Sequence, residues 1–372
     1  MIIKNIQGLN FRNYSQLNLP IENMINVFYG ENAQGKTNIL ESIFYAAFSL
    51  SHRTNQEENL INFNEKKMMV SVNFADNNDI HCVRIKKICN ENERMKKEIL
   101  LDEKKVSAKE HYGVLNVVMF SPEDLQFVKG EPSLRRRFLD MQISQTNKKY
   151  LELILKYNRV LRQRNGLLKQ IRDGICGNEI LVSWNEEFIK LATAIYEARK
   201  PAIEKLQEIS GKIYEKISNG EELKIHYILK GLHREIIDGV ENYQEFFANE
   251  IEKSQELDII RTTTNIGPHR DDLLLEINGK SVKNFASQGQ QRSVALALKL
   301  SQLEYVKNEI EEYPILLLDD VMSELDENRR AHLLQFIDGK VQTFITVNDR
   351  ELIPDVIHGD YFEIKNGTIS HA

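Results

Sequence analysis

Three kinds of hydrophobic spacing follow one another along the chain. In the first third, apolar and polar residues alternate. Met68-Met69-Val70-Ser71-Val72-Asn73-Phe74 and Ile80-His81-Cys82-Val83-Arg84-Ile85 carry this period of two, joined by the turn-rich Ala75-Asp76-Asn77-Asn78-Asp79, and predict half-buried strands. Residues 1 to about 30 predict two more strands, and Ile99-Leu100-Leu101 with Val106 predict a further hairpin. From Ser133 to about residue 255 the spacing becomes helical: Leu151, Ile154, Leu155 and Leu161, then Phe188, Leu191, Ala192 and Ile195, then Leu206, Ile209, Ile213 and Ile217. Ser133 reads as a helix cap, Gly174-Ile175-Cys176-Gly177 as a connection, and Pro201 as a break or a first-turn position. The last third returns to mixed patterning. A long helix begins near Gln290, the runs Ile315 to Asp319 and Thr343 to Val347 predict buried parallel strands, and Asn278-Gly279 and Asn366-Gly367 predict tight hairpins. The expected fold class is α/β: residues 1–130 and 260–372 form a β-rich domain, and residues 131–259 form an inserted, mainly helical lobe.

At the junction of the apolar run Ile25-Asn26-Val27-Phe28-Tyr29 and the helical run Asn38-Ile39-Leu40-Glu41-Ser42-Ile43-Phe44 lies Gly30-Glu31-Asn32-Ala33-Gln34-Gly35-Lys36-Thr37. It matches G-x-x-x-x-G-K-[ST], the phosphate-binding P-loop, in the strand–loop–helix context that the motif needs. The glycines let the backbone wrap a polyphosphate, and the helix start points N–H groups at the anion. Lys36 is expected to reach the terminal phosphates of ATP and Thr37 to ligate Mg²⁺.

A P-loop needs a second, metal-side carboxylate. Ile315-Leu316-Leu317-Leu318-Asp319-Asp320 supplies a strand ending in two acids. Asp319 is assigned to magnesium and Asp320 to the attacking water, as the catalytic residue. A third element, Ser287-Gln288-Gly289-Gln290, opens the helix that runs through Arg292-Ser293-Val294-Ala295-Leu296 and offers a second anion-binding helix start.

Composition narrows the class. A chain of 372 residues with 41% hydrophobic and 28% charged residues can bury a sizeable core in two lobes. Its longest aliphatic run, Ile315 to Leu318, is too short to cross a bilayer, the N-terminus lacks a signal-peptide pattern, and Cys82, Cys89 and Cys176 show no disulfide or zinc spacing, so a cytoplasmic location is expected. The net charge of −6 hides a local excess: Lys129 to Arg172 holds twelve Lys/Arg residues against three acids. Such a stretch is either a solvated helix face or a surface for nucleic-acid phosphates, with Lys148, Lys149, Arg159, Arg162 and Arg164 as its candidates.

Taken together, the P-loop, Ser287 to Gln290, Asp319-Asp320 and the segment Ser323-Glu324-Leu325-Asp326 resemble the head of an ABC-type ATPase of the SMC-like branch. Closer still, the chain resembles the RecF family of DNA replication and repair proteins. Phe11-Arg12-Asn13-Tyr14, the P-loop, Ser51-His52-Arg53, Phe120 to Leu125, Arg135 to Asp140, Gly267 to Asp272 and Ser287 to Arg292 look like RecF motifs in RecF order. The resemblance implies an ATP-dependent homodimer in which the signature Ser287-Gln288-Gly289-Gln290 of one subunit closes over ATP on the other, with Ser323, Leu325 and Asp326 at the seam. It also implies double-stranded and gapped DNA as ligands, and RecR, with RecO and the recombinase RecA, as partners.

Two departures from the wider superfamily bear on rate: Asp320 stands where a glutamate is usual, and Asn348 where transporters carry a histidine. Slow, switch-like hydrolysis is therefore expected, and a turnover well above about 10 s⁻¹ would overturn it. Two positions stay open. Arg12 and Tyr14 flank the adenine or ribose or are an exposed strand end, and Arg135 to Arg137 join the basic surface or instead serve the head core or nucleotide communication. A nuclease-coupled ATPase would need a further carboxylate domain, and a chromosome-organising ATPase would need long helical arms.

Overall fold

The computed structural model describes residues 1–63, 65–89, 95–232, 235–237, 239–354 and 357–371. The chain divides into two compact units, Met1–Leu125 with Ala295–Ala372, and Gln126–Val294.

The first unit holds two six-stranded sheets. One is antiparallel, in the order Tyr14–Pro20, Ile2–Phe11, Lys67–Ala75, Ile80–Cys89, Met95–Leu101 and Lys104–Val106. Its central strands show the expected alternation: Met68, Val70, Val72 and Phe74 are buried. The other runs Thr368–His371, Asp360–Lys365, Ile25–Tyr29, Thr343–Val347, Ile315–Asp319 and Val117–Phe120, parallel except for the closing hairpin. Strands covered on both faces need continuous apolar sequence, and Ile315–Asp319 and Thr343–Val347 are buried at every position. Phe28 stacks between Phe344 and Phe362, at ring-centroid distances of 6.4 and 5.3 Å. The helix Lys36–Phe48 touches strands of both sheets and is buried from Ile39 to Phe48, so it has no polar face to spare. That all-round burial holds the start of this helix in place.

The second unit packs the helices Pro132–Thr146, Lys148–Arg172, Leu181–Ser218 and Tyr243–Arg261 with a four-stranded sheet. The sequence placed the return to the nucleotide domain near residue 260. The chain instead stays in the second unit to Val294, because Asp272–Ile277 pairs with Leu223–Lys230, about fifty residues earlier. The second unit is mainly helical, as expected, and carries this sheet besides.

Two local expectations also change. The helix Leu181–Ser218 continues through Pro201, whose exposed position lets water satisfy the carbonyl that loses its donor. Ser133 is not a cap: the first helix of this unit starts at Pro132, a position where a missing N–H costs nothing. Among the described residues, no helix is long and apolar enough to cross a membrane.

Candidate functional site

The strand Ile25–Tyr29 delivers the chain to Gly30, and the helix Lys36–Phe48 takes it away after Gly35. Both glycines are in backbone regions closed to side chains. Gly30 has φ 141°, and a Cβ there would lie 2.5 Å from the Ile364 carbonyl oxygen. Gly35 has φ 116°, and a Cβ there would meet the Asn13 amide at 2.5 Å. The loop is braced from outside. Asn13 Nδ2 donates to the Gln34 carbonyl at 3.0 Å, Tyr14 Oη to the Gly35 carbonyl at 3.2 Å, and the Gly367 N–H to the Gln34 carbonyl at 3.2 Å. Tyr14 is thus a buried support of the loop, and only Arg12 of the two adenine candidates lines the cavity above it.

Lys36 Nζ donates to the carbonyls of Gly30 and Glu31, each at 2.7 Å, and to Asn348 Oδ1 at 3.0 Å. Burial lowers its pKa, while Asp320 and Asp319 act in the opposite direction. Thr37 Oγ1 donates to Asp319 Oδ1 at 2.8 Å, and Thr346 Oγ1 donates to the same oxygen at 2.8 Å. Thr346 and Asn348 belong to the segment that departs from the transporter histidine, and they bond the two central groups, Thr346 to Asp319 and Asn348 to Lys36. Asp320 sits with φ 53°, a left-handed conformation that Asp tolerates better than most residues. Burial raises its pKa, opposed by the Ser323 hydroxyl, with the Asp319 charge adding to the rise.

Lys36, Thr37, Asp320, Thr346 and Asn348 line a cavity of about 760 Å³ together with Arg12 and Phe63. The size lies within the range of small-molecule sites. The donor set suits a magnesium nucleotide. A hydroxyl and one carboxylate oxygen converge beside a lysine, and Mg²⁺ characteristically takes one or two carboxylates plus phosphate oxygens instead of an all-protein cage.

A second carboxylate organises the cavity wall. Glu41, fully buried in the P-loop helix, accepts from Arg12 Nε and Nη2, both at 2.7 Å, and from Ser51 Oγ at 2.6 Å. Burial would raise its pKa, but Arg12 and Ser51 together hold it below the usual value. His52 packs edge-on against Phe44 at 5.2 Å, and burial lowers its pKa.

The signature residues lie in the second unit. Ser287 Oγ accepts from the Gln290 N–H at 3.2 Å, and Gln290 Oε1 accepts from the Ser287 N–H at 3.0 Å, a reciprocal helix cap. Gln290 Nε2 also donates to Glu221 Oε1 at 2.7 Å. Ser287 and Gln288 are exposed, and Gly289 is half-buried. In the first unit, Ser323 Oγ donates to the Asp320 carbonyl at 2.8 Å, Leu325 is buried, and Asp326 caps the helix Glu327–Ile337.

The basic stretch separates into two populations. Lys148, Lys149, Arg159 and Arg162 are exposed. Arg164 is not a surface residue. It is fully buried and donates to Asp258 Oδ2 at 2.9 Å, Thr264 Oγ1 at 2.7 Å and Asn185 Oδ1 at 2.9 Å. Arg135 is buried on Asp272 and the carbonyls of Phe127 and Gly130, and Arg136 donates to the Asp271 carbonyl. Both serve the core of this unit.

The motif Gly267 to Asp272 is a buried polar cluster. His269 Nδ1 lies 2.6 Å from Tyr157 Oη and Nε2 lies 3.0 Å from the Thr264 carbonyl, a pairing that a neutral ring satisfies by accepting at Nδ1 and donating at Nε2. Burial lowers its pKa to about 3. Asp271 accepts from Tyr227 Oη and the Lys230 N–H, and burial raises its pKa to about 6. Arg199 fills the space between, donating to Asp140, Tyr150, Tyr227 and the Pro268 carbonyl. Histidine here is structural.

The family model "RecF/RecN/SMC N terminal domain" matches residues 2–359. A DNA replication and repair protein RecF of Clostridium tetani is 39% identical over 370 residues, covering 99% of both chains. One of Bacillus thuringiensis is 41% identical over 378 aligned positions, covering 99% of this chain and 98% of the relative. Among solved structures, the recombination mediator protein RecF-ATP in the RecFOR pathway is similar with a TM-score of 0.88 and 35% identity, covering 100% of this chain and 97% of that one. The head of an Smc protein bound to the C-terminal winged-helix domain of ScpA shares the fold, with a TM-score of 0.57 at 15% identity.

Proposed function

The chain belongs to the RecF family within the RecF/RecN/SMC group, and from that membership we propose that it is an ATP-gated DNA-binding recombination mediator. The observation that carries the reading is that Lys36 and Thr37 line one cavity, with Thr37 joined to Asp319 behind it by a 2.8 Å hydrogen bond. Relatives with this architecture include a RecF solved with ATP.

Bound Mg²⁺-ATP supplies a polyanion, a divalent charge and a hydrolysable terminal phosphoryl bond. Lys36 exchanges its carbonyl and amide acceptors for phosphate oxygens. Thr37 and Asp319 would hold the metal. Asp320 orients the attacking water and takes its proton, and its shorter side chain keeps that step slow. Ser287 and Gly289 of one subunit add their helix N-terminus to the triphosphate held by the other, while Ser323 and Asp326 lie along the seam. A ligand that binds the dimer better than the monomer shifts the equilibrium toward the dimer, and hydrolysis releases it.

Closure brings together exposed Lys148, Lys149, Arg159 and Arg162 from two copies. They hold duplex DNA through its phosphates, without sequence preference. The mediator acts near single-strand gaps with RecR and RecO, helping to load RecA. The partners follow from family membership alone.

The test is the anisotropy of a labelled DNA duplex titrated with the protein at one salt concentration, with and without Mg²⁺-ATP. Binding should appear or tighten with ATP and lose that response in Lys36→Arg and Ser287→Arg. Binding indifferent to ATP removes the gate from the reading.

A further inference from the structure

Phe63 is the most exposed large hydrophobic side chain among the described residues, at 91%. A phenyl ring left in water gives up stabilisation that burial would supply. Its position is not that of a loose tip. The preceding segment is stitched to the end of the strand Ile2–Phe11: Phe11 and Ile61 form an antiparallel bridge, the Arg12 N–H donates to the Leu60 carbonyl at 2.8 Å, and the Asn62 N–H donates to the Asn10 carbonyl at 2.9 Å. Leu60 and Phe11 are fully buried beneath it. Phe63 therefore projects from a fixed base, and it lines the same cavity as Lys36 and Thr37.

The rest of that end of the cavity has matching chemistry. Ile61 adds apolar surface, Asn59 and Asn62 carry amides that can both donate and accept, and Arg12 presents a guanidinium held by Glu41 and by the Asn59 carbonyl at 2.7 Å. A planar, polar-edged aromatic ring is the ligand that such a set recognises. A nucleotide anchored by its phosphates at Lys36 places one there, because the two ends belong to one continuous cavity.

We propose that Phe63 is the stacking face for the purine base of the bound nucleotide, with Ile61, Asn59 and Asn62 forming the rest of the base subsite. This assignment rests on the nucleotide-binding reading of the P-loop. It makes Phe63 a residue that sets base preference, with no part in the phosphate chemistry. Purines offer a larger ring area than pyrimidines, so the preference falls in that order.

The experiment measures equilibrium binding of Mg²⁺-ATP, Mg²⁺-CTP and inorganic triphosphate to the full chain and to Phe63→Ala, Phe63→Leu and Phe63→Trp, with Lys36→Ala as the reference for loss of the phosphate site. Phe63→Ala should weaken ATP about fivefold or more, CTP less, and triphosphate not at all. Phe63→Leu, which keeps apolar volume without a π face, should behave like Phe63→Ala. Phe63→Trp should retain ATP binding and report it by a change in fluorescence. Unchanged ATP affinity in Phe63→Ala overturns the proposal while leaving nucleotide binding intact. Equal losses for ATP and triphosphate also overturn it, since they mark a general disturbance of the loop. If wild type and Lys36→Ala bind ATP equally poorly, the nucleotide reading itself fails, and the base subsite falls with it.

Discussion

Replacing His269 by Gln and Asp271 by Asn should give opposite pH dependences of stability, although the two residues are separated by one position in the same buried cluster. His269 is neutral in the fold, with a pKa lowered to about 3 from 6.5. The unfolded chain therefore takes up a proton that the folded chain refuses, and stability present above 6.5 is lost as pH falls. Between pH 7 and 5 the unfolded ring crosses its pKa by 1.5 units, which costs about 2 kcal/mol at 1.36 kcal/mol per unit. Asp271 works the other way. Its pKa is raised to about 6 from 3.8, so the folded chain takes up the proton first. Stability is fully present below 3.8 and is lost as pH rises through 6; acidifying from 7 to 5 therefore recovers about 1.3 kcal/mol. Wild type should lose only about 0.7 kcal/mol of this cluster's contribution over that interval. His269→Gln should gain about 1.3 kcal/mol, and Asp271→Asn should lose about 2 kcal/mol, each relative to its own value at pH 7. The chain's single tryptophan, Trp184, lies in the helix Leu181–Ser218 of the same unit, so urea titrations followed by its fluorescence at pH 7, 6 and 5 report the right transition. Parallel slopes for wild type and both variants would refute the reasoning, and would mean that the buried ring and carboxylate do not titrate against their unfolded values as the packing implies.

Thr37→Val removes a hydroxyl while keeping the branched shape. By isothermal titration it should weaken Mg²⁺-ATP about tenfold or more, the loss of one charge-assisted bond, and leave metal-free ATP in EDTA much less affected; equal losses in the two conditions would remove Thr37 from the metal site. The arginines of the basic helix should divide by burial. Arg159→Ala with Arg162→Ala should flatten the salt dependence of DNA binding by a slope of about 1.8 without lowering stability, since each neutralised phosphate contributes about 0.9. Arg164→Ala should instead destabilise the second unit by about 3–5 kcal/mol, because it strands Asp258 in the interior. A fully stable Arg164→Ala protein with weakened DNA binding would return Arg164 to the surface set.

The nucleotide end of the molecule was legible because its chemistry demands particular residues in a particular order. Only glycine fits the backbone of Gly30 and Gly35, and a buried parallel strand must be apolar until it ends, which marks Asp319 and Asp320 without any long-range information. What failed were questions of partnership. The alternation of Leu273, Leu275 and Ile277 predicts a strand but not its neighbour, and pairing with Leu223–Lys230 moved the unit boundary from near 260 to 294. Arg164 was misplaced by counting charge instead of helical phase. Tyr157, Val160, Arg164 and Leu168 recur at three and four, and all four are buried, so the arginine sits on the apolar stripe. Phe63 gave no periodic signal at all; its place at the cavity depends on a bridge between Phe11 and Ile61, two residues far apart in the chain.

Glu41 has a consequence for how this sequence can change. Three segments meet at its one buried carboxylate: Arg12 from the turn after the strand Ile2–Phe11, the P-loop helix that carries it, and Ser51 from the turn beyond. Substitutions at these three positions cannot be independent. Residues that share one hydrogen-bonded hub couple by about 0.5–3 kcal/mol in double-mutant cycles. Once Glu41 is gone, losing Arg12 or Ser51 should do little further harm; while it remains, losing either one leaves a desolvated charge short of a donor. The three positions therefore form one mutational unit, in which drift at Arg12 or Ser51 is tolerated only after the carboxylate itself has been replaced.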